Sequence, residues 1–152
     1  MRITQKVKCL IVKSKFEQAY NLIKDYSTDE KWEIISNGLY HIDPFQTYSF
    51  MMYLIAKETC EAEWEYYCFV YLVYCNPFFD DSMRLAAWHL KRALELDCNN
   101  IEYMKQVVSV FYSFSEQYFS DVEFLRMAKA IHLVEADNES ACAIIKNLGS
   151  TD

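Results

Sequence analysis

The sequence predicts an all-α protein built from helical hairpins in tandem, and three observations lead there. Only two Gly and two Pro occur in 152 residues, so the chain lacks the turn residues that many short strands require. Apolar residues recur at spacings of three and four along most of its length. Cap-forming Ser, Asp and Asn residues stand in the gaps between those runs. A hydrophobic content of 53% supplies the core of a single domain over residues 1–152.

The elements follow in order. Ile3, Val7, Leu10 and Ile11 mark one face of a first helix that ends near Ser14. Phe16, Ala19, Tyr20, Leu22 and Ile23 mark a second, closing near Tyr26, and the two form a hairpin with a very short turn. Ser27, Thr28 and Asp29 offer N-caps for a third helix carrying Trp32, Ile35, Leu39 and Tyr40, which stops near Asn37-Gly38 or slightly later. Asp43-Pro44 restarts the chain, since Pro is well tolerated at a first helical position, and Phe45, Tyr48, Met51, Met52 and Ile55 carry the fourth helix to about Thr59.

Residues 61–76 (EAEWEYYCFVYLVYCN) begin acidic, as a helix N-terminus prefers, and then become apolar all round. Their Tyr, Phe and Val content also suits a strand, but a lone strand would find no partner in this chain, so helix is preferred. Asn76-Pro77 ends it. Asp80, Asp81 or Ser82 caps a sixth helix running to Asp97, and Asn99-Asn100 separates it from a seventh that runs from Ile101 to about Ser115. Ser120-Asp121 caps the stretch Val122 to Val134, and Asn138 caps a short last helix that ends at Gly149.

Internal repetition is visible in the second helix of each pair. The sets Ala19/Ile23/Tyr26, Ser49/Tyr53/Ala56, Ala86/Leu90/Ala93 and Glu123/Met127/Ala130 share one spacing, and the last three begin at 49, 86 and 123. AAWHLKRALELDCNN at 86–100 resembles the end of a tetratricopeptide repeat (TPR), with Ala86, Leu90 and Ala93 at its small-large-small positions and Cys98 in place of the usual Pro. KFEQAYNLI at 15–23 is similar to the start of such a repeat's second helix. Glu123 is not small, and Pro77 interrupts the phasing. The resemblance implies a TPR-like α-α hairpin solenoid of about four helix pairs plus a short C-terminal helix, in which small residues let paired helices approach.

Catalytic and metal chemistry find little support. His41, His89 and His132 each stand alone on a helical pattern, no H-E-x-x-H occurs, and two isolated glycines cannot build a phosphate-cradling loop. Six cysteines include no C-x-x-C pair, and Cys68 and Cys75 lie seven apart on one helix face. The mixed segment after Met1, with Arg2, Lys6 and Lys8, has no apolar h-region, so a reducing cytoplasm and six free thiols are expected. No enzyme activity, cofactor or membrane span is expected.

The net charge of −7 hides an asymmetry. Residues 1–26 hold six Lys/Arg against Glu17 and Asp25, whereas residues 27–152 hold nine basic and twenty acidic side chains. That bulk repels phosphate, which disfavours direct nucleic-acid binding and favours a basic protein partner. From Glu58 to Met83 there is no Lys or Arg, while six acids interleave with eight aromatics. A helix buried on both sides accounts for the aromatics; the acids cluster at its two ends, where an acidic rim around aromatic anchors suits a positive surface.

Glu61, Glu63, Asp80 and Asp81, with a second set at Glu116, Asp121 and Glu123, are therefore the candidate partner-binding residues. Small size, the acidic sets and the lack of a catalytic constellation resemble, in type, the immunity proteins of bacterial contact-dependent growth inhibition and related polymorphic toxin systems. That resemblance implies stoichiometric neutralisation of a basic toxin domain, a nuclease in the leading reading. The alternative is a TPR-type chaperone or adaptor that holds an extended peptide in a groove lined by Tyr40, Tyr67, Tyr71 and Tyr103. The sequence leaves the oligomeric state open.

Overall fold

A computed structural model describes residues 2–38, 43–59, 61–75 and 81–149. Among them the chain forms nine α-helices and no strand: α1 (Ile3–Val12), α2 (Phe16–Ile23), α3 (Thr28–Ser36), α4 (Pro44–Lys57), α5 (Glu61–Val70), α6 (Ser82–Leu96), α7 (Ile101–Gln106), α8 (Asp121–Val134) and α9 (Glu139–Leu148). Two of these helices widen into a π turn at their C-terminal ends, α5 at Tyr71–Cys75 and α7 at Val107–Phe111. The all-helical expectation holds, with element boundaries within a few residues of those predicted. No helix among the described residues is long and apolar enough to cross a membrane.

The residues between helices explain where each begins. Ser27 starts α3 through a capping box: its hydroxyl accepts the Glu30 N–H at 3.3 Å, and the Glu30 carboxylate accepts the Ser27 N–H at 2.9 Å. Ser120 and Glu123 repeat the device at α8. Asp43 accepts the Phe45 N–H at 2.9 Å ahead of Pro44 at the first position of α4. Asn100 and Asn138 cap α7 and α9 in the same way.

The turn from α1 to α2 is a Schellman motif. Ser14 takes the left-handed conformation at φ 53°, its N–H donates to Ile11 O at 2.8 Å, and the Lys15 N–H donates to Leu10 O at 2.9 Å. Three residues therefore reverse the chain and satisfy the last carbonyls of α1.

The chain divides into two compact units, Met1–His89 and Leu90–Asp152, with the boundary inside α6. In the first, α1 packs on α2, α3 and α4, and α5 packs on α3 and α4. Its core combines Val7, Ile11, Ala19, Ile23 and Ile35 with Phe50, Leu54, Trp64 and Phe69. In the second, α8 packs on α7 and α9. Its centre is a chain of rings in which Phe119 lies 5.4 Å from Phe111 and 5.9 Å from Phe124, backed by Met127, Ile131, Ala141 and Ile144.

Packing follows a different register from the one the 37-residue spacing suggests. Ala86, Leu90 and Ala93 are fully buried, as are Ala19 and Ile23. Ser49 and Ala56, however, are exposed, and α4 buries Thr47, Phe50, Met51 and Leu54 instead. On α8 the buried positions are Phe124, Met127, Ala128 and Ile131, with Glu123 and Ala130 only half covered. Side-chain bulk decides this: the stripe that removes most apolar area from water turns inward, wherever the small residues fall.

Candidate functional site

Of the predicted carboxylates, Glu61 and Glu63 lie in the first turn of α5, where the helix dipole favours negative charge, and both are exposed. Neither enters an ion pair among the described residues. The aromatic anchors expected beside them are mostly spent on packing. Trp64, Phe69 and Tyr71 are buried, and Tyr67 stacks on Trp32 with ring centroids 4.8 Å apart while donating to Asp29. Tyr74, 59% exposed, is the large surface aromatic that α5 and its π turn retain among the described residues. Asp80 lies outside the described residues.

The other candidates have local work. Asp81, in a left-handed conformation at φ 59°, accepts a 2.6 Å salt bridge from Arg84, and its carbonyl accepts the Leu85 N–H of α6. Glu116 accepts a hydrogen bond from the Tyr118 hydroxyl. Asp121 is exposed in the first turn of α8 and has no ion pair among the described residues. Glu123 is the second half of the α8 capping box. Burial pushes its carboxyl up, but the Ser120 N–H and hydroxyl, and then Lys91 and Arg126, outweigh that and hold it below its ordinary value. Glu116, Asp121 and Glu123 thus gather around the start of α8. Glu61, Glu63 and Asp81 belong to the other compact unit.

The groove tyrosines of the alternative reading are also committed. Tyr71 is buried and donates to Pro44 O at 3.3 Å, and Tyr103 is buried at the start of α7. Tyr67 is held as described above, and Tyr40 lies outside the described residues.

A polar network that the sequence did not disclose occupies the first unit's interior. His89 is fully buried; its Nδ1 lies 2.5 Å from Glu65 Oε2 and its Nε2 2.7 Å from the Tyr48 hydroxyl. With the ring proton on Nδ1, a neutral imidazole donates to Glu65 and its Nε2 accepts from the Tyr48 hydroxyl, the tautomer that satisfies both contacts. Burial first, then the Cys68 and Glu65 charges, push the Tyr48 phenol up to about 12. Burial, followed by Glu65, likewise raises the fully buried Cys68 thiol well above its ordinary value.

An acid, an imidazole and a hydroxyl in line have the order of a catalytic relay, but the energetics run the wrong way for one. The hydroxyl is harder to ionise than a free phenol, the neighbouring thiol is inert, and the imidazole is sealed from solvent. What the arrangement can do is satisfy two buried polar groups, Glu65 and His89, together with the half-buried Tyr48 hydroxyl.

The signal for the network lay in helical registers. Glu65 shares a face with Cys68, Phe69 and Leu72, and His89 shares one with Ala86 and Ala93. Glu65 is one of the six acids between Glu58 and Met83, and that stripe turns it inward.

Elsewhere Lys31 and Glu58 form a 2.8 Å ion pair with side chains only 3% and 12% exposed. The five described cysteines, Cys9, Cys68, Cys75, Cys98 and Cys142, are free thiols. No cluster of three or more His, Cys, Asp or Glu with metal-binding geometry occurs among the described residues. The chain matches no protein family, no curated protein and no solved structure.

Proposed function

We propose that this protein is a cytoplasmic, stoichiometric inhibitor that captures a basic protein domain, the role an immunity protein plays toward a nuclease toxin. The observation that carries this reading is the set of exposed carboxylates Glu61, Glu63 and Asp121, which no ion pair neutralises among the described residues of a chain with net charge −7. In the complex they stand where phosphates would bind the toxin, and such charge complementarity speeds association and selects the partner. Asp81, Glu116 and Glu123, which already have intramolecular partners, are secondary contacts in this reading. The reading takes the hairpins to stack as a TPR-like solenoid, so that inter-helix turns fall along an edge. It requires no turnover and no cofactor.

The test is titration calorimetry between the purified protein and the C-terminal domain of any large secreted protein encoded immediately upstream, with nuclease activity followed in parallel. A one-to-one complex with full loss of nuclease activity is expected. A toxin that stays active in the presence of excess protein excludes the role.

A further inference from the structure

The second compact unit contains an open cleft of about 300 Å³, a volume at the lower end for small-molecule sites. Its apolar lining comes from Phe119, Leu94 and Met127, and Cys98 lies at its border. Two cations, Lys91 and Arg126, line it as well. Lys91 Nζ sits 4.8 Å from the centroid of the Phe119 ring, which holds the ammonium over the apolar lining.

The cleft's two carboxylates are already engaged. Glu123 accepts both the N–H and the hydroxyl of Ser120 at 2.8 Å, and Glu95 accepts from Arg92 at 2.8 Å. Two cations, Lys91 and Arg126, thus line the cleft beside two carboxylates, of which Glu95 has its charge paired with Arg92, a residue outside the lining. The N–H donors of Lys91 and Arg126 enter no hydrogen bond or salt bridge among the described residues, although both charges act on Glu123. The cleft therefore offers donors and positive charge above an apolar lining, in a protein that is acidic overall.

We infer that this cleft binds a small organic carboxylate, its acid group held by Lys91 and Arg126 and its apolar body lying against Phe119, Leu94 and Met127. The carboxylate can belong to a free acid or to the C-terminus of a peptide ending in an apolar residue. Both present the same chemistry, and the cleft's size admits one such group. The site goes beyond the proposed inhibitor role: it shares the lining residue Glu123 with that surface, but its ligand is an anion.

The experiment uses the full chain with two readouts: the methyl resonance of Met127 in protein labelled at methionine methyls, and the alkylation rate of Cys98, with Cys142 as the internal control. Phenylacetate is titrated against phenylacetamide, and N-acetylglycylphenylalanine against its C-terminal amide. Both acids are expected to shift Met127 and protect Cys98 with saturation, whereas the amides do neither over the same range. The tighter of the two acids identifies the source of the carboxylate.

Arg126→Gln is expected to weaken binding by about tenfold or more, because a charge-assisted hydrogen bond is lost. Lys129→Gln, which removes an exposed α8 cation that does not line the cleft, leaves binding unchanged. Equal responses to acids and amides, no response at Met127 and Cys98, or undiminished binding by a folded Arg126→Gln variant each overturn the assignment.

Discussion

Ser14 adopts φ 53°, a region that penalises a Cβ and suits glycine. Ser14→Gly should therefore raise stability by about 0.5–1 kcal/mol, the relief of strain outweighing glycine's greater unfolded freedom; an unchanged urea midpoint would show that the Schellman turn bears no strain. His89 poses the opposite problem, because its environment demands a polar group. His89→Leu leaves Glu65 as an unpaired carboxylate in the core and should cost about 3–5 kcal/mol, whereas Glu65→Leu/His89→Leu together should cost distinctly less, since neither partner is then stranded. Urea denaturation of the single and double variants measures this coupling, and additive losses would refute it. His89 looked solitary in the sequence because Glu65 and Tyr48 lie 24 and 41 residues away, beyond any local pattern. Its burial was nevertheless legible, through its place on the face of Ala86 and Ala93.

Helix starts were easy to read because caps are local chemistry: Ser27, Asp43, Ser120 and Asn138 each bond a backbone N–H two or three residues on. The register of α4 was not, because small residues are equally at home in a helix-helix contact and in water. Ser49 and Ala56 fitted the repeat spacing yet face solvent, while Phe50, Met51 and Leu54 determine which side turns inward. Where the small residues do meet the core, the fit is tight. Ala93 is fully buried, so Ala93→Leu should overpack α6 at a cost of about 1–3 kcal/mol, and a neutral result in urea denaturation would contradict close packing there. The α8 capping box adds a pH signature. Glu123 ionises more readily in the folded chain than its ordinary value of 4.5, so its contribution is complete above that value and is lost as pH falls through the depressed folded value. Glu123→Gln should then cost about 0.5 kcal/mol near neutral pH and nothing once the wild-type carboxyl is protonated. A gap that persists in acid would mean that hydrogen bonding alone, without charge, makes the box.

At the scale of the whole molecule the sequence declared charge plainly and surface poorly. Residues 27–152 carry twenty acids against nine bases, yet which acids face a partner depends on caps and pairings that only coordinates reveal. Asp81, Glu116 and Glu123 are engaged by Arg84, Tyr118 and Ser120, so within the proposed partner-binding set the carboxylates without such a partner among the described residues are Glu61, Glu63 and Asp121. Reversing these three to Lys would confound the test, because all sit in first helical turns where a cation opposes the helix dipole and costs about 0.3–1 kcal/mol each. Glu61→Gln, Glu63→Gln and Asp121→Asn together remove the charge and keep the shape. Exposed ion pairs contribute about 0.2–1 kcal/mol apiece, so binding of a basic toxin domain should weaken by roughly tenfold, chiefly through slower association. The difference between wild type and the triple variant should also shrink as salt rises toward about 1 M, where the screening length falls to about 3 Å. Stopped-flow association across a salt series reads both effects, with circular dichroism confirming that the helices survive. An association rate that is unchanged at low salt would move the interface away from these carboxylates and remove the main support for a basic partner.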